Sequence, residues 1–346
     1  MKDVLIRQYQ VGYCDKNCIY LWHMIEISIL VLRNAVMASI ADAAYLFRTV
    51  NGLLEQSGKA PLFNVKLVGT SAEIKLNGGL FTIKPDETIT TTDHTNLVII
   101  PAITGDALAA AYLNKEYAPW ISAQYKNGAA IASLCTGAFL LAYTGLLRGK
   151  KCTTHWAYAN EFRYYYPDVS LVDEKMITHE NGLYSSGGNN AYWNLLLYLV
   201  EKYAGREIAI HTAKFFVIDL DRKDQSPFII FTGQKNHQDK TIIKAQEYIE
   251  QRFTQKLTVD QIADVFNLTR RTFERRFKKA TRNTVVEYIQ QVKIEASKKQ
   301  LEIGRKSIQE VMFDVGYTDV KTFRDLFRKI AGMTPNEYRD KYRIGY

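Results

Sequence analysis

The stretch AAIASLCTGAFLLAYTGLL, residues 129–147, places a thiol, Cys135, between an apolar run suited to a strand and one suited to a helix. A helix amino terminus lowers a thiol's pKa and readies the sulfur for attack on a carbonyl. Such attack also needs a base within hydrogen-bond reach, and His155 in TTHW is the candidate. A second strand-to-helix turn, LYSSGGNNAYW, offers the backbone N–H groups of Ser185, Ser186, Gly187 and Gly188 to a carboxylate or other anion, although the same glycines also suit a purely steric turn. Cys14, Cys18 and His23 have the chemistry of metal ligands, but a fourth ligand is missing nearby, so no metal is expected. Towards the other end, TRRTFERRFKK and DVKTFRDLFRK carry a different chemistry: arginines and lysines spaced to line one helix face.

These residues need elements to hold them. Apolar strands at 26–32, 63–70, 96–103 and 129–134 alternate with helical patterns such as SIADAAYLFRTVNGLLEQSG and PWISAQYKNG. Hairpins are expected at EIKLNGGLFTI and MITHENGLYSS, and an amphipathic helix at NAYWNLLLYLVEKYAG. Continuous apolar strands between helices predict an α/β fold, a mostly parallel sheet sandwiched by helices. Its ligand sites should lie at the carboxyl ends of the strands, where Cys135 falls. After residue 218 the pattern turns wholly helical. The organisation expected is a leader over 1–24, a sensor domain over 25–218, a linker over 219–239 and an all-α domain over 240–346.

Charge follows that division. Residues 236–346 hold 23 Lys and Arg against 15 Asp and Glu, eight of the chain's nine net positive charges. A basic third joined to a nearly neutral body suggests that one domain meets a polyanion and the other does not. Four cysteines in 346 residues make no disulfide framework and fit a reducing compartment, so a cytoplasmic protein is expected. The start lacks the form of a secretory signal, and the Ile25–Leu32 run is short and contains Glu26, so no membrane span is expected.

The basic third contains an internal repeat. IADVFNLTRRTFERRFKKATRNTVVEY and VMFDVGYTDVKTFRDLFRKIAGMTPNEY align Phe273 with Phe323, Phe277 with Phe327, and Tyr288 with Tyr338. Each unit opens on a capping box, at Thr258 to Gln261 and at Ser307 to Glu310, then has a short helix, a turn and a second helix. In those second helices Phe273 and Phe277, or Phe323 and Phe327, define the buried stripe. Arg271, Arg275 and Lys278 then face outward in the first, and Lys321, Asp325 and Arg328 in the second, with Arg270 at the start of one and Arg324 beside the other's outer face. Arginine reads guanine bidentately in a major groove, and lysine neutralises phosphate.

Two resemblances accompany these readings. The run ASLCTGAFLLAYTGLLRGKKCTTHWAYANEFRYYYPDV resembles the core of the PfpI-like, class I glutamine amidotransferase-like domain, especially the variant at the front of GlxA-type transcriptional regulators. Enzymes of that superfamily place a histidine after the cysteine, where this chain has Thr136, and an acid after the first strand, where it has Ser39 with Asp42 a turn later. The segments LTVDQIADVFNLTRRTFERRFKKAT and SIQEVMFDVGYTDVKTFRDLFRKIAGMTPNEYR resemble the AraC-type DNA-binding domain over about 240–343. That resemblance implies DNA contacts from Arg270, Arg271, Glu274 and Arg275 and from Lys321, Thr322, Arg324 and Asp325, with Lys278 and Arg328 as further contacts. Departures are Met312 where a small residue is usual, and Arg282 with Val285 in place of a Gly and a Pro.

The function expected is a sequence-specific transcriptional regulator that binds double-stranded promoter DNA. Its first domain is expected to sense an unidentified small-molecule effector at Cys135, Thr136, His155, Ser186 and Gly187, with no catalytic residue and no cofactor. Homodimerisation is expected, and RNA polymerase is a further candidate partner. The rival reading is a Cys-dependent hydrolase or amidase with a DNA-binding tail.

Overall fold

Seven strands and two layers of helices surround the cysteine turn. The computed structural model describes residues 24–188, 190–220, 224–235 and 237–344, so Cys14, Cys18 and His23 lie outside the described residues. The described residues open with β1 (Ile25–Leu30), α1 (Met37–Gln56), β2 (Phe63–Gly69), β3 (Ile74–Leu76), β4 (Phe81–Ile83), β5 (Glu87–Thr88) and β6 (Leu97–Ile100). Next come α2 (Ala107–Leu113), α3 (Tyr117–Lys126), β7 (Ala130–Ser133), α4 (Ala138–Tyr143), β8 (Lys151–Cys152) and α5 (Ala159–Tyr165). The first part ends with β9 (Ser170–Leu171), β10 (Ile177–Glu180), β11 (Leu183–Ser186), α6 (Ala191–Ala204) and α7 (Arg206–Phe216).

The main sheet runs β10-β11-β7-β6-β1-β2-β5, and every neighbouring pair is parallel except β10 with β11. One helical layer joins α1, α6 and α7, and another joins α2, α3 and α4. Covering a strand from both sides removes the reason for alternation, and all four residues of β6 are fully buried. The β10–β11 hairpin turns on Asn181 and Gly182, both at positive φ, the geometry of a two-residue turn that follows the sheet's twist.

The sequence pattern did not reveal three helices. The seven-residue α2 is set by a side-chain cap, in which Asp106 accepts from the N–H of Ala109 at 2.8 Å. The equally short α5 has only Ala159 and Phe162 buried. The third, α7, looks like a continuation of α6 until Gly205, at φ 87°, turns the chain between them.

Seven helices complete the chain: α8 (Lys240–Arg252), α9 (Val259–Val265), α10 (Arg270–Thr281), α11 (Val285–Ile303), α12 (Ile308–Asp314), α13 (Val320–Ala331) and α14 (Pro335–Tyr342). They enclose two small cores. One holds Phe273, Phe277 and Tyr288, the other Phe323, Phe327 and Tyr338, and α11 supplies residues to both. The repeat survives in detail. Phe277 meets Tyr288 edge-on at 5.3 Å and Phe327 meets Tyr338 edge-on at 5.6 Å. The two tyrosine hydroxyls donate to Glu250 and Glu302. Capping boxes form at Thr258 and Ser307 as the sequence predicts, and also at Thr284 and Thr334.

Candidate functional site

Cys135 follows β7 at φ 53°, a left-handed conformation that costs a non-glycine residue energy, and it is held there by side chains from neighbouring strand ends. Its N–H donates to the Ser186 hydroxyl at 3.1 Å, and its carbonyl accepts from the Thr154 hydroxyl at 3.0 Å. Thr136 clasps the loop after β6, since its hydroxyl donates to the Ile103 carbonyl at 2.6 Å and accepts from the Ile103 N–H at 2.9 Å. At the next position a Cβ would stand 2.5 Å from the Pro101 carbonyl oxygen, so only Gly137 fits. Thr136 and Gly137 therefore each have a packing reason to be what they are.

The electrostatics of the turn oppose nucleophilic chemistry. Burial pushes the Cys135 thiol up to about 11, and Thr136 offsets this only in part. The position occupied by an acid in related enzymes holds Ser39, whose hydroxyl donates to the Val36 carbonyl and accepts from the Ala102 N–H. Asp42 accepts instead from the Tyr192 hydroxyl at 2.5 Å. His155 caps a short 3-10 turn, its Nδ1 accepting from the Ala157 N–H at 3.1 Å, and burial lowers its pKa. That nitrogen points at backbone, the usual fate of a histidine that holds a loop.

A cavity of about 210 Å³ opens beside this turn, lined by His155, Trp156, Met176, Gly188, Gln225 and Phe228 among others. Of the expected effector residues, His155 lines it. Cys135, Thr136, Ser186 and Gly187 are buried and do not line it. The serine-glycine turn does not present a row of N–H groups: Gly187 N–H goes to the Met176 carbonyl at 2.8 Å and Gly188 N–H to Gln225 Oε1 at 2.9 Å. Trp156, Met176, Gln225 and Phe228 carried no cue in the sequence, and Gln225 and Phe228 reach the cavity from a connecting segment with no periodicity.

The reading surface is simpler. Arg270, Arg271, Glu274, Arg275 and Lys278 on α10, and Lys321, Thr322, Arg324, Asp325 and Arg328 on α13, are all exposed. Beneath them Phe273, Phe277, Phe323 and Phe327 are fully buried, so each helix has one apolar and one charged face. Arg270 is tied to Asp260 at 3.0 Å and to Glu274 at 3.3 Å. Among the described residues no salt bridge occupies Arg271, Arg275, Lys278, Lys321, Arg324 or Arg328, which leaves these cations to solvent or to a ligand.

Known sequences match both halves. Residues 53–202 match the DJ-1/PfpI family and residues 262–341 match a helix-turn-helix domain of the AraC type. The two matches give this chain a DJ-1/PfpI domain followed by an AraC-type helix-turn-helix domain. The HTH-type transcriptional regulator GbdR of Pseudomonas aeruginosa is 24% identical over 92% of this chain and 85% of its own length. The regulator ArgR of the same organism is 26% identical over 64% of this chain and 67% of its own. The bifunctional transcriptional activator/DNA repair enzyme AdaA of Bacillus subtilis shares 37% identity across 33% of this chain and 54% of its own, a match confined to part of each protein. Among solved structures, a candidate transcriptional regulator from Vibrio parahaemolyticus superposes with a TM-score of 0.50 at 23% identity, covering 56% of this chain and 99% of that one, a likeness of fold. Among the described residues no helix is long and apolar enough to cross a membrane, and no cluster of His, Cys, Asp and Glu could hold a metal ion.

Proposed function

We propose that this AraC-type regulator reads promoter DNA in two adjacent major grooves through α10 and α13, and that its first domain senses a small molecule without transforming it. Its place of work is then the cytoplasm, where promoter DNA is. The observation that carries the reading is the repetition. Two helices lie 50 residues apart in sequence, each seated on a Phe-Phe stripe and each presenting unpaired basic side chains outward. One such helix is an ordinary solvated face, but two in matching units suit a polyanion that presents the same groove again, and duplex DNA returns its major groove to one face once per turn. The non-catalytic reading of the first domain rests on the protonated Cys135 thiol and on the commitments of Ser39, Asp42 and His155 described above.

The test is selection of binding sites from a random duplex pool by the full chain. Enrichment should yield two short elements whose centres lie about 10 bp apart. Binding that stays indifferent to sequence in the presence of competitor DNA would refute specific reading. Dimerisation belongs to the same proposal, and sedimentation of the full chain with and without selected DNA tests it, a monomer in both conditions counting against it.

A further inference from the structure

One wall of the cavity beside the cysteine turn is a side chain of the connecting segment. Gln225 is 2% exposed, and its carboxamide makes a full set of contacts. Oε1 accepts from Gly188 N–H at 2.9 Å, while Nε2 donates to the Thr154 carbonyl at 3.0 Å and the Lys175 carbonyl at 3.2 Å, with the Thr153 hydroxyl at 3.3 Å. An acceptor faces a donor and an NH2 group faces carbonyls, the pattern a primary amide satisfies and a carboxylate or a tertiary amide does not. The neighbouring backbone is shaped to it: a Cβ on Gly187 would stand 2.5–2.6 Å from the Gln225 carboxamide. Backbone anchors flank it, with Gln225 N–H on the Glu174 carbonyl at 2.8 Å and Lys175 paired with Asp224 at 2.8 Å.

The same few residues grip the DNA-reading domain. Ser226 and Pro227 pack where a side chain on Gly332 would be, at the end of α13, and the Lys341 ammonium sits 5.2 Å over the Phe228 ring. Buried Lys298 of α11 donates to the Ile229 carbonyl at 2.8 Å, and Glu295 accepts from Phe231 N–H at 3.1 Å. Residues 224–231 thus form a strap fixed at one end in the first domain's cavity and at the other on α11, α13 and α14.

We propose that Gln225 is a tethered occupant of a primary-carboxamide site, and that a small molecule ending in a primary carboxamide, with an apolar body beside Trp156, Met176 and Phe228, displaces it and frees the strap from the reading domain. This deepens the sensing role proposed above and rests on it. A ligand of that class binds the strap-released form only, so it shifts the docked-to-released balance by its differential affinity. Linkage requires the converse, that loosening the strap at its far end favours the amide.

The experiment uses the full chain and its Gln225→Ala variant, which deletes the atoms of one acetamide molecule. Backbone hydrogen exchange is read at Gly188 and across 331–334, with acetamide, N,N-dimethylacetamide or neither at high millimolar concentration. In the variant both regions should exchange at least about tenfold faster, as expected when a buried hydrogen-bond set is lost. Acetamide should restore protection at Gly188 alone, and dimethylacetamide should do nothing. Gln225→Glu keeps the shape, loses the NH2 donor and should also speed exchange at 331–334. Failure of acetamide to protect Gly188, equal protection by dimethylacetamide, or unchanged exchange at 331–334 in both variants overturns the proposal. If the wild-type chain binds selected DNA but no carboxamide alters that binding, the sensing role fails; the acetamide result still decides whether Gln225 fills an amide site.

Discussion

At the scale of single residues, this chain uses strained backbone where glycine or a small side chain would be expected, and one instance is testable by stability alone. Arg282 ends α10 at φ 62°, and Gly332 ends α13 at φ 71°, the matching place in the repeat. A left-handed arginine costs about 1–2 kcal/mol in backbone sterics, part of which glycine returns as unfolded-chain entropy. Arg282→Gly should therefore stabilise the chain by about 0.5–1 kcal/mol, read as a higher denaturant midpoint with unchanged slope. A lower midpoint would mean that the Arg282 side chain contributes more than its backbone costs. The buried thiol gives a second expectation. Cys135 is held up at about 11, so between pH 9 and 11 the unfolded chain has lost a proton that the folded chain keeps. Stability must then fall as pH rises through that window, by up to about 1.4 kcal/mol per unit for this group. Cys135→Ser, compared with the wild type at pH 8 and 10, should show the shallower loss. Equal slopes would show that the thiol ionises in the folded chain as readily as in the unfolded one.

At the scale of elements, the sequence disclosed what periodicity and capping can encode. The four long parallel strands, both Asn-Gly turns, the aromatic repeat and the first two capping boxes were legible because each depends on residues close together in the chain. The cavity was not, because its lining comes from β-strand ends, a 3-10 turn and the strap, segments without a shared pattern. At Gly187 the steric alternative to an anion site is the one that holds, since its missing Cβ makes room for a glutamine 38 residues later. For the reading helices, legibility turns into a graded prediction. Arg271→Ala or Arg275→Ala should weaken binding to selected DNA by about 1–3 kcal/mol and relax preference at particular base pairs. Lys278→Ala should weaken binding to every duplex alike and reduce the salt slope by about 1. Titrations against selected and scrambled duplexes at several salt concentrations separate these cases, and a uniform loss from all three variants would contradict the division. Arg270 and Glu274 should behave otherwise, since they must first break their own surface pair to reach DNA.

For the molecule as a whole, the decisive feature is that one helix serves both readers. Val285, Tyr288, Ile289 and Val292 of α11 pack in the first small core, and Ile294 and Leu301 pack in the second. A helix of 19 residues is about 28 Å long, close to the roughly 34 Å of one duplex turn. Two readers set at opposite ends of such a spine are spaced for successive grooves on one side of the double helix. A buried tyrosine beside each reader ties the spine to a flanking helix, Tyr288 of α11 donating to Glu250 of α8 and Tyr338 of α14 to Glu302 of α11. The full chain should accordingly protect about two successive turns of selected duplex on one face. Replacing Lys321 and Arg324 together by alanine removes the exposed cations of α13 nearest its start without touching Phe323 or Phe327, so the fold should persist. Protection should then shrink to the turn read by α10, and sequence preference in the other element should vanish. Protection that still spans both turns would mean that α13 meets no groove, and that Asp325 marks a face which DNA avoids.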